Sequence, residues 1–226
     1  LRYNYNNLDL GIPEDGIASQ TTNKKPEYPS QGVFNNLVSL NNVVYFQNSK
    51  LDVNLGYINN DRSEFEDSDV PSLHMILNTF NYNVKYYLPK LGKLETIVGV
   101  QGMNQSNKNF GEEYLIPDAI TNDFGAFATG IYDWETNSLQ AGIRFDYRNL
   151  NTVEHGILGE EGYFQALDNS YNSINASLGY KKDFTEDFTM RLNVASGFKA
   201  PTLAELLSNG IHEGTFHYEI GNVDLK

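Results

Sequence analysis

Apolar and polar residues alternate along most of this chain, most cleanly from Leu139 to Tyr147, where Leu139, Ala141, Ile143, Phe145 and Tyr147 interleave with Gln140, Gly142, Arg144 and Asp146. A period of two belongs to a strand with one apolar and one wet face. The same rhythm runs through Asn35 to Phe46, Leu51 to Phe65, Leu73 to Leu88, Leu94 to about Asn109, Asp123 to Trp134, Ser138 to Asn149, Tyr171 to Lys181 and Phe188 to Val194. At the start of the chain Tyr3 and Tyr5 alternate with Asn4 and Asn6 before the apolar parity shifts to Leu8 and Leu10. That shift reads as a bulge or as the upper end of a strand. About nine strands are predicted in all.

The connections alternate in length. Those at Asn48, Lys90, Thr136 and Thr185 are tight; those around Thr21, Tyr114, Gly159 and Asn209 are long and polar, and Glu66 to Ser72 is intermediate. The first long loop, Gly11 to Gly32, carries Pro13, Gly16, Pro26 and Pro29. Short turns at one rim and long loops at the other are how antiparallel membrane barrels are built, whereas a β-sandwich does not require one end to be systematically shorter. Phe46, Tyr86, Tyr87, Trp134, Phe184 and Phe188 cluster near the short turns, where amphipathic rings meet a bilayer interface. Several arms run on past their apolar part with polar residues on both faces, which carries the sheet beyond the roughly 9–11 tilted residues that cross a membrane. The fold expected is therefore all-β, an antiparallel up-and-down transmembrane β-barrel, present as a partial barrel of about nine strands.

Composition narrows the function. The 226 residues carry a formal charge of −13, which repels a phosphate backbone and argues against nucleic acid as a partner. There is no cysteine, so disulfide frameworks and thiolate metal sites are excluded. No apolar run approaches the roughly 20 residues of a membrane helix, and the mean hydropathy of −0.46 is compatible with a barrel because only alternate residues face lipid. His74, His155, His212 and His217 are scattered without nucleophile or metalloprotease spacing, and no enzyme activity is expected. Glu112-Glu113 and Glu160-Glu161 read as solvated loop charge.

The chain's last strand ends in a distinctive segment. Gly197 loosens the strand and Pro201 cannot donate to a ladder, so the backbone is expected to leave the sheet near Lys199-Ala200. Thr202 followed by Glu205 reads as the capping box of a short helical turn. Gly197-Phe-Lys-Ala-Pro-Thr-Leu-Ala-Glu-Leu206 closely resembles the Gly-Phe-Arg-Ala-Pro-x-Leu-x-Glu-Leu signature in late barrel strands of TonB-dependent outer-membrane receptors. Lys199 stands where that signature has arginine, while Gly197, Phe198, Ala200, Pro201, Glu205 and Leu206 match it. Glu219-Ile-Gly-Asn222 with Leu225-Lys226, which includes Gly221 and Asn222, resembles the Glu-x-Gly-Asn-x-x-Leu-Lys that follows, and Asn60-Asp-Arg-Ser-Glu-Phe65 resembles an Asn-x-Arg-x-Glu-Phe stretch of the same receptors. The resemblance is to Bacteroidetes-like members, and it implies kinship to the branch that takes up zinc, haem or siderophores.

The resemblance implies that residues 1–226 are part of a barrel domain of about 22 strands closed around a plug, with the plug and the remaining strands lying outside this sequence. It implies residence in the bacterial outer membrane, contact with outer-membrane lipid, and active import of a scarce small-molecule or metal-complex ligand. An iron-siderophore, haem or a metal such as zinc is the expected cargo, and no resident cofactor is assigned. Energy would come from the inner-membrane TonB complex through the plug segment. His212, Glu213, His217 and Glu219 offer imidazole and carboxylate within one short loop, a donor set that suits zinc or iron, although a loop held by local hydrogen bonds fits the same residues. Arg62, Arg144, Arg148 and Arg191 fall on polar strand faces and are candidates for lining a lumen or for ion pairing within the wall. Two other classes fit the alternation: a passive porin or adhesin barrel, and a secreted soluble β-sandwich binding carbohydrate through exposed Tyr and Trp.

Overall fold

The computed structural model describes residues 1–12, 26–160, 162–212 and 217–225, with the backbone alone for 210–212 and 217. Pro13, Gly16, Thr21, Glu161 and Glu213 lie outside the described residues.

Each alternating segment forms a strand that pairs with its sequence neighbours. The strands are β1 (Arg2–Gly11), β2 (Ser30–Tyr45), β3 (Lys50–Phe65), β4 (Leu73–Tyr87), β5 (Leu94–Asn109), β6 (Ala119–Trp134), β7 (Asn137–Thr152), β8 (Asp168–Asp183) and β9 (Thr189–Ala195). They form one antiparallel meander in sequence order, β1 to β9, as nearest-neighbour hairpins dictate. The result is a partial up-and-down barrel wall, and the observed connections keep the expected alternation of tight turns and long loops.

Register fixes the two faces. Arg144 pairs with Phe127 and Asn175, Asp146 with Gly125 and Ser173, and Gly125 with Gln101, which pairs with Asn83 and through it Asn54. Along β7 the odd residues Leu139 to Tyr147 are exposed, whereas Gly142, Arg144 and Asp146 are half-buried, so the sheet curves with its polar face inside. Ile143 is 57% exposed, Phe145 40%, Leu178 55% and Leu192 63%. No second layer covers this apolar face among the described residues, which removes the β-sandwich reading.

Strand β1 pairs without interruption from Arg2↔Ser39 to Gly11↔Ser30, so of the two readings of the parity shift the bulge falls and the upper end of a strand stands: Leu8 and Leu10 lie on the inner face at the loop end of β1, while Tyr3 and Tyr5 lie on the outer. Two local expectations are corrected. Tyr87 belongs to the inner face, with the Lys50 ammonium 4.0 Å above its ring, so it is not one of the outer aromatics. The backbone leaves the sheet after Ala195, sooner than Pro201 predicts, although the Ser196 N–H still donates to the Ala176 carbonyl at 2.9 Å. A Cβ on Gly197 would meet nothing within 4 Å, so no steric demand for glycine exists there.

Beyond β9 the chain crosses the inner face as a strap, residues 196–202, and enters helix α1 (Leu203–Leu207). The expected capping box is present: the Glu205 N–H donates to Thr202 Oγ1 at 3.3 Å and the Thr202 N–H to Glu205 Oε2 at 2.8 Å. Strands β10 (Asn209–His212) and β11 (His217–Ile220) form a separate hairpin. Its return lies against α1, where the Gly221 N–H donates to the Ser208 carbonyl at 2.7 Å and the Asn222 N–H to the Glu205 carbonyl at 2.8 Å. A Cβ on Gly221 would sit 2.4 Å from Leu206 backbone carbon, so only glycine allows this approach.

A small apolar core closes the loop end. Leu150 at the top of β7, Phe164 from the β7–β8 loop, and Leu206 and Leu207 of α1 are buried together, with Tyr114 of the β5–β6 loop packed beside them. Tyr114 also stacks on His155 at 3.6 Å. Three long connections thus share one core.

Candidate functional site

The curvature of the inner face produces an open cavity of about 810 Å³ spanning β3 to β8. Its wall is built from alternate polar residues: Asn54 on β3, Asn81 and Asn83 on β4, Gln101 on β5, Asp123 on β6, Arg144, Asp146 and Arg148 on β7, and Tyr171 on β8. Phe198, Lys199, Ala200 and Thr202 of the strap complete it. A second cavity of about 450 Å³ shares Asn83, Gln101 and Arg144 and adds Lys85, Phe127 and Asn175.

Charges in the wall are paired in place. Arg148 donates from Nε to Asp123 Oδ1 at 2.7 Å and from Nη2 to Asp123 Oδ2 at 2.6 Å, while Nη1 reaches the Pro201 carbonyl at 3.2 Å and that of Ala200 at 3.5 Å. This arginine therefore ties β6, β7 and the strap together. Arg144 donates from Nε to both Asp146 oxygens at 2.7 Å. Its guanidinium lies over Gly125, where a Cβ would come within 2.4 Å of Nη2. The missing side chain lets the arginine lie flat on the wall and leaves the cavity open. Gly125→Leu is expected to lift Arg144 off Asp146, and a crystal structure of the variant would show the pair broken. The melting temperature should barely move, because a part-exposed ion pair contributes about 1 kcal/mol or less.

The four arginines predicted together separate by position. All fall on the inner face, but only Arg144 and Arg148 line the cavity. Arg62 pairs with Glu64 on the same strand at the loop end, and Arg191 stands opposite Lys181 near a short turn. Asp123, Asp146, Asn83 and Gln101 were legible only as polar partners of apolar positions. In sequence Phe198 and Lys199 mark only a signature; the fold makes them wall. Asn83, which lines both cavities, has its Oδ1 buried without a hydrogen-bond partner.

Of the loop candidates, His212 and His217 are direct cross-strand partners in the β10–β11 hairpin, and Glu219 follows His217 by two residues on the same strand. No group of three metal-ligating side chains occurs among the described residues, which do not include Glu213 or the side chains of His212 and His217.

Electrostatics at the strap are local. Hydrogen bonding from the Lys199 ammonium first, then from the Thr202 N–H and hydroxyl, brings the Glu205 carboxyl down from 4.5 to about 2. A lowered carboxylate stabilises the fold above its ordinary value and loses that contribution as pH falls through the lowered one. The cap of α1 is thus expected to hold at pH 4 and to fail toward pH 2, which a carbon-13 titration of Glu205 in the purified receptor would read.

A single-layer meander with an apolar outer face, a polar concave inner face and all long loops at one end is the wall of an outer-membrane type of up-and-down barrel. The chain belongs to the TonB-dependent receptor β-barrel family: the model described as TonB dependent receptor-like, beta-barrel matches residues 1–226. Among solved structures it is similar to the FrpB iron transporter from Neisseria meningitidis (F5-1 variant, apoprotein form), at 15% identity and TM-score 0.61, covering 78% of this chain and 30% of that one. It is also similar to the ferric yersiniabactin uptake receptor FyuA from Yersinia pestis, at 14% identity and TM-score 0.58, covering 77% of this chain and 30% of that one. The chain thus spans about a third of the length of these structures. No curated protein matches it.

Proposed function

We propose that this chain is a wall segment of an active uptake receptor in the bacterial outer membrane. In this reading the apolar face meets lipid and the polar face lines the bore. A plug and further strands complete the protein, and the inner-membrane TonB complex supplies energy through the plug. The cargo is a scarce iron chelate, haem or metal. The observation that carries the reading is the exposed apolar outer face backed by a polar inner face with a cavity beneath the loops. The iron transporter and ferric siderophore receptor among its structural neighbours favour an iron-chelate cargo.

Deleting the gene should abolish growth on a ferric chelate as sole iron source, and restoring the complete receptor should recover it. Uptake should stop when the proton gradient is collapsed; uptake that continues would establish a passive pore instead. His212, Glu213, His217 and Glu219 are proposed to contact the metal complex, which unchanged zinc affinity in a receptor carrying His212→Ala and His217→Ala would overturn. Arg144 and Arg148 serve as bore-lining residues that act through their wall pairs.

A further inference from the structure

On the outer face one residue type recurs on successive strands. Asn36, Asn59, Asn78, Asn104, Asn122, Asn149 and Asn172 are outward-facing positions on seven successive strands, β2 to β8. Counted from the short-turn end of its own strand, each lies nine residues away on β2, β3 and β4, ten on β5, twelve on β6 and β7, and eleven on β8. Such a contour does not follow from strand pairing. A line of fixed register through Asn36, Asn59 and Asn78 continues to Ser106, Ile120 and Asn151, whereas the asparagines step down to Asn104, Asn122 and Asn149. Stepping of that kind keeps a belt level in a wall of tilted strands.

Two residues toward the short turns stand Val38, Tyr57, Phe80, Phe124, Tyr147 and Ile174, all exposed and four of them aromatic, with Gly102 in that place on β5. Two residues the other way the face is mixed: Asp61, Ser106, Asn151 and Ser170 on β3, β5, β7 and β8 are polar, whereas Phe34, Ile76 and Ile120 on β2, β4 and β6 are apolar. Asp61 bonds His74 Nε2 at 2.9 Å. The amides are linked laterally: Asn59 Nδ2 donates to Asn78 Oδ1 at 3.0 Å and Asn104 Nδ2 to Asn122 Oδ1 at 2.6 Å, and the Tyr57 hydroxyl donates to Asn78 Oδ1 at 2.7 Å. About 9–11 tilted residues cross a membrane, close to the nine to twelve that separate the short turns from this row.

We propose that the asparagine row is a docking surface for the outer leaflet, seated in the hydroxyl and carbonyl layer of its lipids with the aromatic residues just inside. The proposal rests on the reading of this chain as a membrane wall. Amides both donate and accept, which suits sugar hydroxyls and ester carbonyls; a phosphate-binding belt would carry arginine or lysine, and this row carries neither. The row thereby sets the height of the wall, leaving the inner-face core of Leu150, Phe164 and Leu206 above the membrane.

This chain has no cysteine of its own, so in a complete receptor whose other cysteines, where present, are replaced by serine, single cysteines can be placed in it and labelled in the native membrane with a charged, membrane-impermeant maleimide. Expected are fast labelling of Asp61→Cys and Ile120→Cys, and labelling about tenfold or more slower at Tyr57→Cys, Phe80→Cys, Phe124→Cys and Tyr147→Cys, where hydrocarbon excludes the reagent. Asn122→Leu should extend the protected zone and slow Ile120→Cys. Protection of Ile120→Cys equal to that of Phe124→Cys would put the boundary on the fixed-register line and overturn the proposal. Fast labelling at Phe80 and Phe124 with Ile143→Cys and Leu178→Cys still protected would overturn it too, leaving the membrane reading intact. Fast labelling at all positions would overturn both.

Discussion

Leu206→Ala is expected to loosen the whole loop end while leaving the strands intact. Leu206 is 1% exposed and packs with Leu150, Phe164 and Leu207, residues contributed by β7, the β7–β8 loop and α1. Truncating a buried leucine forfeits its transfer free energy and leaves a cavity, about 2–5 kcal/mol in all. The loss should be local, because the strands hold one another by backbone ladders, and of this core only Leu150, at the loop end of β7, belongs to one. Hydrogen exchange on the complete receptor should show protection falling at residues 153–167 and across β10 and β11. The hairpin is included because it hangs from α1 through Gly221 and Asn222, and because Asn209 Nδ2 donates to the Tyr163 carbonyl of the same loop at 3.4 Å. Unchanged exchange in the β7–β8 loop would mean that the core does not couple these connections.

The second large effect is expected at Arg148. Arg148→Met removes a two-pronged pairing with Asp123 and the two carbonyl contacts to the strap, and leaves the Asp123 carboxylate without its cation. Removing one partner of a fully buried pair costs about 3–5 kcal/mol. Both side chains here keep about a quarter of their exposure, so roughly 1–3 kcal/mol is the expected loss. Arg148→Lys should recover little, since an ammonium lacks the planar fork that reaches the carboxylate and both carbonyls together. The readout is exchange at residues 197–202, which should rise in both variants and more in methionine. Ligand affinity should fall with it, because Phe198 and Lys199 reach the cavity only while the strap is seated. Combined with Leu206→Ala the losses should be less than additive, as the strap and α1 are one continuous segment.

Much of this molecule was legible from alternation alone. Strand positions, the split of β7 into Ile143 and Phe145 against Arg144 and Asp146, the ranking of turns against loops, and the Thr202–Glu205 cap all follow from local rules: the period of the pleat, turn chemistry, and the reach of a side chain over three residues. The departures share a cause. The parity shift at Leu8 and Leu10 leaves a bulge and a strand end equally open, because apolar residues elsewhere in the chain keep to one face, yet the inner wall near the loop end accepts leucine. Tyr87 looked like an interface ring because nearness to a turn does not reveal parity. What only the tertiary structure decided is which distant segments meet: Arg148 with the strap, Leu150 with Phe164 and Leu206, Gly125 beneath Arg144, and asparagines on the outer face of seven successive strands. Periodicity is a property of neighbours in sequence, whereas curvature, register and loop packing depend on pairings between residues tens of positions apart.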